Sequence, residues 1–301
     1  MSSAGGANAH QIVARGLTKR YGVVQALNDL DLTISEGEIF GFLGPNGAGK
    51  TTTIRLLLGL LRPTRGSASI AGFDVASEGT ASRKMVSFLP SAGGLYEYMT
   101  AAEYLQMFCR FGGATRIRGL ELAERLDLDV TRKIKNLSTG NRQKVVIVRA
   151  LQNDVPVYLV DEPTRGLDPL VQQEFERIIR EYRERGHTIF LSTHVLSEAE
   201  ALCDRVGILR DGRLVAVETV TGLKKARVRR FSVMFDGHLP RDDELSNASF
   251  IERNDSELRF EVSGSVDSIV KTLGRYQVTD LFIEQPTLED VFLRYYGEDK
   301  S

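Results

Sequence analysis

The sequence predicts an α/β fold with a largely parallel sheet, followed by a small C-terminal α+β domain. Over residues 12 to about 218, short β-rich runs alternate with helical stretches, as in strands joined by helical crossovers. The composition then shifts at a basic segment. A chain of 301 residues is long enough for two domains. We expect a disordered tail over 1–11, a first domain over 12–218, and a linker with the C-terminal domain over 219–301.

Four apolar runs predict the strands of the first domain. They are 38–43, 87–90, 155–160 and 188–193. The last two are apolar throughout, which is typical of parallel strands that are buried on both faces. Between the second and third runs, residues 101–111 and 118–126 show apolar spacing at i, i+3 and i+4. We therefore expect an inserted helical subdomain over about 91–150.

The segment after the first domain carries five positive charges in the seven residues 224–230. We interpret it as a solvated linker, with a contact to an acidic membrane surface or partner as the alternative. The patterns that follow predict strands at 230–235, 257–262 and 278–285, and helices at 268–276 and 287–297. Glycine, aspartate and asparagine mark the turns of this predicted domain.

Charge and hydropathy exclude several classes of protein. The 39 Lys and Arg residues nearly balance 40 Asp and Glu residues, so the overall field is too weak to hold a nucleic acid by charge alone. A membrane span needs about 18 consecutive apolar residues, and the longest comparable run here is 56–61. The first residues show no signal-peptide pattern. Cys109 and Cys203 fit reduced core residues, which favours the cytosol.

Residues 44–51 match the phosphate-loop pattern G-x-x-x-x-G-K-[ST] between a predicted strand and a predicted helix. In such a loop, glycines turn backbone N–H groups toward phosphates and the helix N-terminus adds positive potential. Lys50 would reach the β- and γ-phosphates, and the Thr51 hydroxyl would bind Mg²⁺. The alternative is a glycine turn that caps a helix. The candidate nucleotide ligands are Gly44, Pro45, Asn46, Gly47, Ala48, Gly49, Lys50, Thr51 and Thr52.

An apolar strand at 157–160 ends in two acidic residues. Such a strand can deliver Asp161 to Mg²⁺, while Glu162 orients and deprotonates a water that attacks the γ-phosphate. The alternative is that the acidic pair only marks the point where the chain leaves the core.

Three further segments resemble motifs of the ATP-binding-cassette (ABC) ATPases. Residues 137–141, Leu-Ser-Thr-Gly-Asn, resemble the signature Leu-Ser-Gly-Gly-Gln. Residues 164–168 resemble the D-loop, and 192–194, Ser-Thr-His, resemble the segment of the switch histidine. All five motifs stand in the family's order, and the resemblance covers about 12–218. It implies a P-loop NTPase ABC cassette with a RecA-like core, an antiparallel β subdomain and a helical subdomain.

The resemblance also implies an ATP site shared by two cassettes arranged head to tail. Tyr21 would stack on adenine, with packing on the sheet as the alternative. Ser138 and the Gly140 N–H would contact the γ-phosphate bound by the other cassette, and Asp168 would help to couple the two sites. His194 would hydrogen-bond the γ-phosphate and the attacking water, although a lone histidine is more often structural. The implied catalytic residues are Glu162, His194 and Lys50, and the implied metal ligands are Thr51 and Asp161.

The sequence departs from the family pattern at three positions. Where the family usually places a glutamine that reaches Mg²⁺, this chain has Ser91. Serine is too short to span the same gap without a water, so we expect a water-bridged Mg²⁺ or a weaker link between ATP state and transport. Thr139 and Asn141 replace the usual Gly and Gln of the signature and resemble variants in exporter cassettes.

Residues 285–293 resemble the closing motif of an accessory domain on cassettes that serve drug, antibiotic, sodium and polysaccharide exporters. The alternative is an amphipathic helix that Thr287 caps. The resemblance implies an ATP- and Mg²⁺-dependent subunit that powers export of a drug, antibiotic or lipid-like compound. Its partners would be a separate integral membrane permease and a second cassette, identical or related, and its place the cytoplasmic face of the membrane.

Two other functions remain as alternatives. A soluble ABC-type ATPase that acts on ribosomes or DNA usually carries two cassettes or a long coiled-coil insertion, and this chain has neither pattern. The near-zero net charge also disfavours it. A poorly hydrolysing regulatory cassette is weakly favoured by Ser91. The intact Lys50, Asp161, Glu162 and His194 disfavour it.

Overall fold

The computed structural model describes residues 10–91, 93–112, 116–225, 228–245, 247–263, 265–284 and 288–289. The chain divides into two compact units between Val217 and Glu218. No helix of these described residues is long and apolar enough to cross a bilayer. The prediction of a disordered tail over 1–11 is wrong for residues 10 and 11, which belong to a strand. Strand β1 already begins at His10, because His10 pairs with Ser35 on the neighbouring strand. The rest of the predicted tail lies outside the described residues.

The first unit is built from strands and helices that alternate along most of its length. Its strands are β1 (His10–Tyr21), β2 (Val24–Ser35), β3 (Ile39–Leu43), β4 (Arg65–Ile70), β5 (Phe73–Asp74), β6 (Val86–Leu89), β7 (Val157–Asp161), β8 (Thr188–Thr193), β9 (Arg205–Arg210) and β10 (Arg213–Thr219). Its helices are α1 (Lys50–Leu57), α2 (Gly79–Lys84), α3 (Ala101–Gly112), α4 (Arg116–Arg125), α5 (Thr139–Leu151), α6 (Pro169–Glu184) and α7 (Leu196–Leu202).

Strands β6 to β10 and β3 form one six-stranded sheet in the order β10-β9-β3-β8-β7-β6. The pairs β3–β8, β7–β8, β6–β7 and β3–β9 are parallel. Every residue of β3, β7 and β8 is buried, as the continuous apolar runs predict. All four predicted strands are present; β8 has the predicted bounds, and the ends of the other three differ by at most two residues. Because parallel strands end at the same edge, this sheet places residues 44, 162 and 194 close together.

The second sheet of this unit is antiparallel, in the order β2-β1-β4-β5. Alternate residues of β1 and β2 face the core, among them Ile12, Leu30 and Ile34, each fully buried. They join Phe40 and Ile54 in one hydrophobic cluster that spans both sheets and α1. Fully burying one such side chain contributes about 1.5–3 kcal/mol. The strand and the helix that flank residues 44–49, β3 and α1, are thus packed in one core.

Helices α3, α4 and α5 form the helical subdomain that the spacing predicts. The side chain of Arg125 at the end of α4 makes a two-point contact with Glu181 of α6, at 2.7 Å for each N–O pair, and a third contact with Glu174. Two parallel N–H···O bonds fix orientation as well as distance. These hydrogen bonds hold helix α4 of the subdomain against α6.

The second unit contains a small antiparallel sheet. Its strands are β11 (Val228–Phe235), β12 (Ala248–Arg253), β13 (Glu257–Ser263) and β14 (Val278–Glu284), and its helices are α8 (Val220–Lys225) and α9 (Asp267–Leu273). The strand order is β12-β13-β11-β14. Phe231 and Phe260 stack at 5.2 Å between ring centroids, in a core that includes Ile269 of α9.

The second unit differs from its predicted pattern in two places. The segment 224–230 is not simply a solvated linker, because α8 extends to Lys225 and β11 begins at Val228. Strand β11 forms because every second residue from Phe231 to Phe235 is buried in the core of this unit. Strand β12 was not predicted, because its sequence has no clear alternation and it forms by pairing with β13. The motif at 285–293 lies outside the described residues, except for the buried Leu288 and the exposed Glu289.

Candidate functional site

The phosphate loop joins β3 to α1, and two of its glycines are required by close packing. Gly49 has φ 110°, and a Cβ there would lie 2.5 Å from the carbonyl oxygen of Ala26. A Cβ at Gly44 would lie 2.5 Å from the carbonyl oxygen of Leu209. The loop therefore packs directly on the backbone of two neighbouring segments, which leaves no room for larger residues.

The substitution Gly49→Ala should destabilise the nucleotide-free protein by about 1–3 kcal/mol more than Gly47→Ala. Both glycines have positive φ, but a Cβ at Gly47 meets no heavy atom within 4 Å. The difference between the two variants therefore isolates the clash with Ala26. Urea unfolding curves of the full chain measure it. Equal losses of unfolding free energy would contradict the packing argument.

Lys50 begins α1 with its side chain folded into the loop. It is 6% exposed, and its Nζ donates to the carbonyl oxygens of Gly44 at 2.6 Å and Pro45 at 3.1 Å. Burial lowers the pKa of Lys50, while the nearby charges of Glu162 and Asp161 act in the opposite direction. An ammonium group has three donors, so one remains for a ligand.

Three oxygen-bearing side chains meet at the end of β7. The hydroxyl of Thr51 donates to Oδ2 of Asp161 at 3.2 Å, and the hydroxyl of Ser91 lies 3.4 Å from the same oxygen. Asp161 is 3% exposed. The parallel pairing of β6 and β7 brings Ser91 here, because Leu89 lies opposite Val160. Ser91 thus contacts the candidate metal ligand, although it is shorter than the glutamine of the family.

This donor set fits Mg²⁺ better than a metal with an all-protein cage. The described residues contain no group of three or more His, Cys, Asp or Glu side chains that could hold a metal. Mg²⁺ takes oxygen ligands and is usually held by one or two protein groups together with water and substrate phosphates. Thr51 and Asp161 supply two such oxygens beside the phosphate loop.

Glu162 and His194 form a hydrogen-bonded pair next to the loop. Nδ1 of His194 lies 2.9 Å from Oε1 of Glu162, and the two residues follow the adjacent strands β7 and β8. Glu162 has φ 47°, a left-handed conformation that costs a non-glycine residue about 1–3 kcal/mol. Such strain concentrates at functional sites. A carboxylate held by an imidazole can accept a proton from a bound water.

A pocket of about 160 Å³ lies between the loop and Glu162. Its lining residues are Ala26, Asn46, Gly47, Gly49, Lys50, Thr51, Thr52 and Glu162. It therefore joins most of the predicted nucleotide ligands with the predicted base. Tyr21 ends β1 with 45% exposure, and the Nζ of Lys19 lies 5.2 Å from its ring centroid. Its ring is accessible for stacking.

The signature residues lie at the start of α5 and not in this pocket. Ser138 caps α5 by accepting from the N–H of Asn141 at 3.3 Å. A Cβ on Gly140 would lie 2.9 Å from the carbonyl oxygen of Gly166, so the signature packs against the D-loop. Asp168 caps α6 by accepting from the N–H of Val171 at 3.0 Å. Ser138 and Gly140 are not among the residues that line the pocket of their own chain.

Two residues on α5 that the sequence analysis did not assign connect this helix to the site. Gln143 donates to the carbonyl oxygen of Pro163 at 3.0 Å, directly after Glu162. Arg149 donates to the carbonyl oxygen of Phe88 at 2.6 Å, three residues before Ser91. The signal for both in the sequence is a polar residue within a helix whose other residues are mostly buried.

The chain is similar to proteins of a known family. The family model described as "ABC transporter" matches residues 27–165. The chain is 34% identical over 295 residues to the Nod factor export ATP-binding protein I of Burkholderia lata, which covers 95% of this chain and 96% of that protein. It is also 34% identical over 312 residues to the daunorubicin resistance ATP-binding protein DrrA3 of Streptomyces coeruleorubidus, with 96% of each chain covered.

A solved structure supports the same assignment for part of the chain. It is the dimeric post-hydrolysis state of the ATP-binding cassette MJ0796 bound to ADP and Pi, with a TM-score of 0.65 and 28% identity. The match covers 69% of this chain and 98% of that cassette. The two relatives match this chain almost end to end. The chain therefore belongs to the ABC transporter family, as an ATP-binding subunit that hydrolyses ATP.

Proposed function

We propose that this subunit uses Mg²⁺ and Glu162 to hydrolyse ATP and that the reaction powers export through a separate membrane subunit. The observation that carries the proposal is the Glu162–His194 pair, held at 2.9 Å beside the pocket of the phosphate loop. A base, an imidazole donor and a buried ammonium group around one small pocket fit phosphoryl transfer to water.

Each residue has a distinct role in this proposal. Backbone N–H groups of 46–52 and the Lys50 ammonium would bind the phosphates, and Thr51 and Asp161 would hold the metal ion. When bound, Mg²⁺ would supply positive charge that offsets the charge of the phosphates. Glu162 accepts a proton from the attacking water. His194 orients the Glu162 carboxylate through Nδ1, and a contact of its other ring nitrogen with the γ-phosphate requires a proton on that nitrogen as well.

A second cassette would complete the site. Ser138 and Gly140 lie outside the pocket of their own chain, which supports a role on nucleotide bound by a partner. Asp168 ends the D-loop, which packs against the signature. It would couple closure at one ATP site to the other site. Tyr21 would hold the adenine. Contacts that form only across the closed interface favour the closed state by their differential binding energy.

Export and the kind of cargo rest on the relatives. Two of them are named for Nod factor export and for daunorubicin resistance. This supports an amphipathic or lipid-like compound as cargo and an integral membrane permease as partner. The subunit would then work at the cytoplasmic face of the membrane.

The test is transport in inside-out membrane vesicles. The chain is co-expressed with the membrane protein encoded beside it, and uptake of daunorubicin is followed with ATP and Mg²⁺. We expect uptake that needs both proteins and that stops with EDTA. ATP hydrolysis without any stimulation by the membrane protein, and without uptake of daunorubicin or a lipid-like probe, would contradict the export proposal.

Substitution of Ser91 should change the dependence of activity on Mg²⁺. Ser91→Gln places a longer amide oxygen beside Asp161, so we expect a lower Mg²⁺ concentration at half-maximal ATPase activity. Ser91→Ala, the matched control, removes the hydroxyl 3.4 Å from Asp161 and should raise that concentration about 2- to 10-fold. A Mg²⁺ titration of each variant measures both effects. Identical titrations and identical transport would show that this position does not matter.

A further inference from the structure

A second cavity lies on the other side of the Glu162–His194 pair, along the D-loop. It has a volume of about 400 Å³ and is bounded by Thr164 and Arg165 of the D-loop, by His194, and by Glu176 and Glu198. Three glutamates line it, against one arginine, Arg165. The cavity therefore favours a cationic group.

Glu198 is the unusual residue of this cavity. It lies in the first turn of α7 and is 6% exposed, so it is more than nine-tenths buried. Both carboxylate oxygens are buried, and neither makes a hydrogen bond of normal geometry with any described residue. Burial raises the pKa of Glu198, while the hydroxyls of Thr193 and Thr164 act in the opposite direction. A buried carboxylate in this position is stabilised by a cationic partner or by a proton.

Arg165 is the complementary residue. It is exposed, and none of the described residues forms an ion pair or hydrogen bond with its guanidinium. It directly follows Thr164, whose hydroxyl acts on Glu198, and consecutive Cα atoms are about 3.8 Å apart. Its long side chain lines the same cavity as Glu198, and rotation inward from solvent would bring its guanidinium toward that carboxylate.

The other two carboxylates of the cavity already have partners. Glu162 is held by His194 at 2.9 Å, and Glu176 contacts Arg180 at 3.0 Å. Glu198 is thus the carboxylate that is left for Arg165. A planar guanidinium is less strongly hydrated than an ammonium and matches a carboxylate with two parallel hydrogen bonds. It is the cation best suited to enter a partly enclosed site.

We propose that Arg165 turns into this cavity and pairs with Glu198, and that the pair positions Glu162 relative to His194. The proposal rests on the proposed roles of these last two residues. Arg165 comes three residues after Glu162, and Glu198 comes four residues after His194. An ion pair between them holds together the two segments that carry the catalytic couple. Glu198 and Arg165 are then positioning residues that do not touch ATP.

The test is a double-mutant cycle on ATP hydrolysis by the full chain. R165Q and E198Q should each lower kcat by about 5- to 10-fold, and the double variant should fall no further, because both remove the same pair. KM for ATP should stay within about twofold of the wild type. R165K keeps the charge and should recover part of the loss. Multiplied losses in the double variant would overturn the proposal.

Two further measurements separate positioning from folding. E176Q, the matched control in the same cavity, should keep the wild-type kcat because Glu176 already pairs with Arg180. E198Q should not lower the thermal midpoint, because glutamine keeps the size of the side chain and the exposed Arg165 can stay in solvent. A kcat loss in E176Q equal to that in E198Q, or a lower midpoint for E198Q, would overturn the proposal. Full hydrolysis by E162Q would instead refute the proposed function.

Discussion

Replacement of Glu162 by glutamine should reduce ATP turnover by about 10²- to 10⁴-fold while ATP still binds and still holds two cassettes together. A positioned general base contributes a factor of this size, and an amide cannot accept the proton of the attacking water. Glutamine keeps the shape of glutamate and can still contact His194, which lies 2.9 Å from Oε1 in the wild type. The phosphate loop is untouched. Binding and chemistry are therefore separated by this one change.

The measurement combines phosphate release with the molecular mass of the protein in solution. In ATP and Mg²⁺, the Glu162→Gln variant should elute as a stable dimer, whereas the wild type should return to its nucleotide-free state as ATP is consumed. Glu176→Gln is the matched control, because it makes the same chemical change in the adjacent cavity at a residue paired with Arg180. Normal phosphate release from Glu162→Gln would exclude Glu162 as the base.

Features of the fold that depend on neighbouring residues were predictable from the sequence. Strand β8 has the predicted bounds because each of its residues is apolar or small enough to be buried. The phosphate loop was predictable because its glycines are needed locally, in the turn between β3 and α1. The family resemblance implied that Glu162 and His194 act on the same γ-phosphate and attacking water, but their direct pairing was not predicted, since 32 residues separate them.

Features that depend on the order of strands were not predictable in this way. Ser91 lies near Asp161 because β6 is the parallel neighbour of β7, and the sequence carries no local mark of that order. Glu198 was overlooked for the same reason. Its position among other acidic and apolar residues of a short helix looks like an ordinary surface residue, and only the packing of α7 makes it buried.

The site of a single chain combines a strained base with an incomplete set of phosphate contacts. Glu162 is held in a left-handed conformation. Ser138 and Gly140 do not line the phosphate-loop pocket of their own chain. Preorganised donors are most effective where charge develops in a site that excludes water. Closure by a second cassette would supply both the missing donors and the exclusion of water, which links hydrolysis to association.

Lys50→Met should lower ATP affinity and hydrolysis by about 10- to 100-fold, because the remaining donor of the ammonium would form a charge-assisted hydrogen bond to the phosphates worth about 1.5–3 kcal/mol. Methionine fills a similar volume without charge. The chain offers a matched control in Lys144→Met. Lys144 is 7% exposed, against 6% for Lys50, and it also donates to a backbone carbonyl, that of Asp127 at 3.1 Å.

Both substitutions remove a buried ammonium from a carbonyl partner, so both should lower the free energy of unfolding of the nucleotide-free protein. Their effects on ATP should differ, because Lys144 lies on α5 and does not line the phosphate-loop pocket. Titration with a fluorescent ATP analogue, together with urea unfolding, separates the two effects. If Lys144→Met lost as much ATP affinity as Lys50→Met, the loss would reflect damage to the fold. If Lys50→Met kept its affinity, the ammonium would not bind phosphate at all.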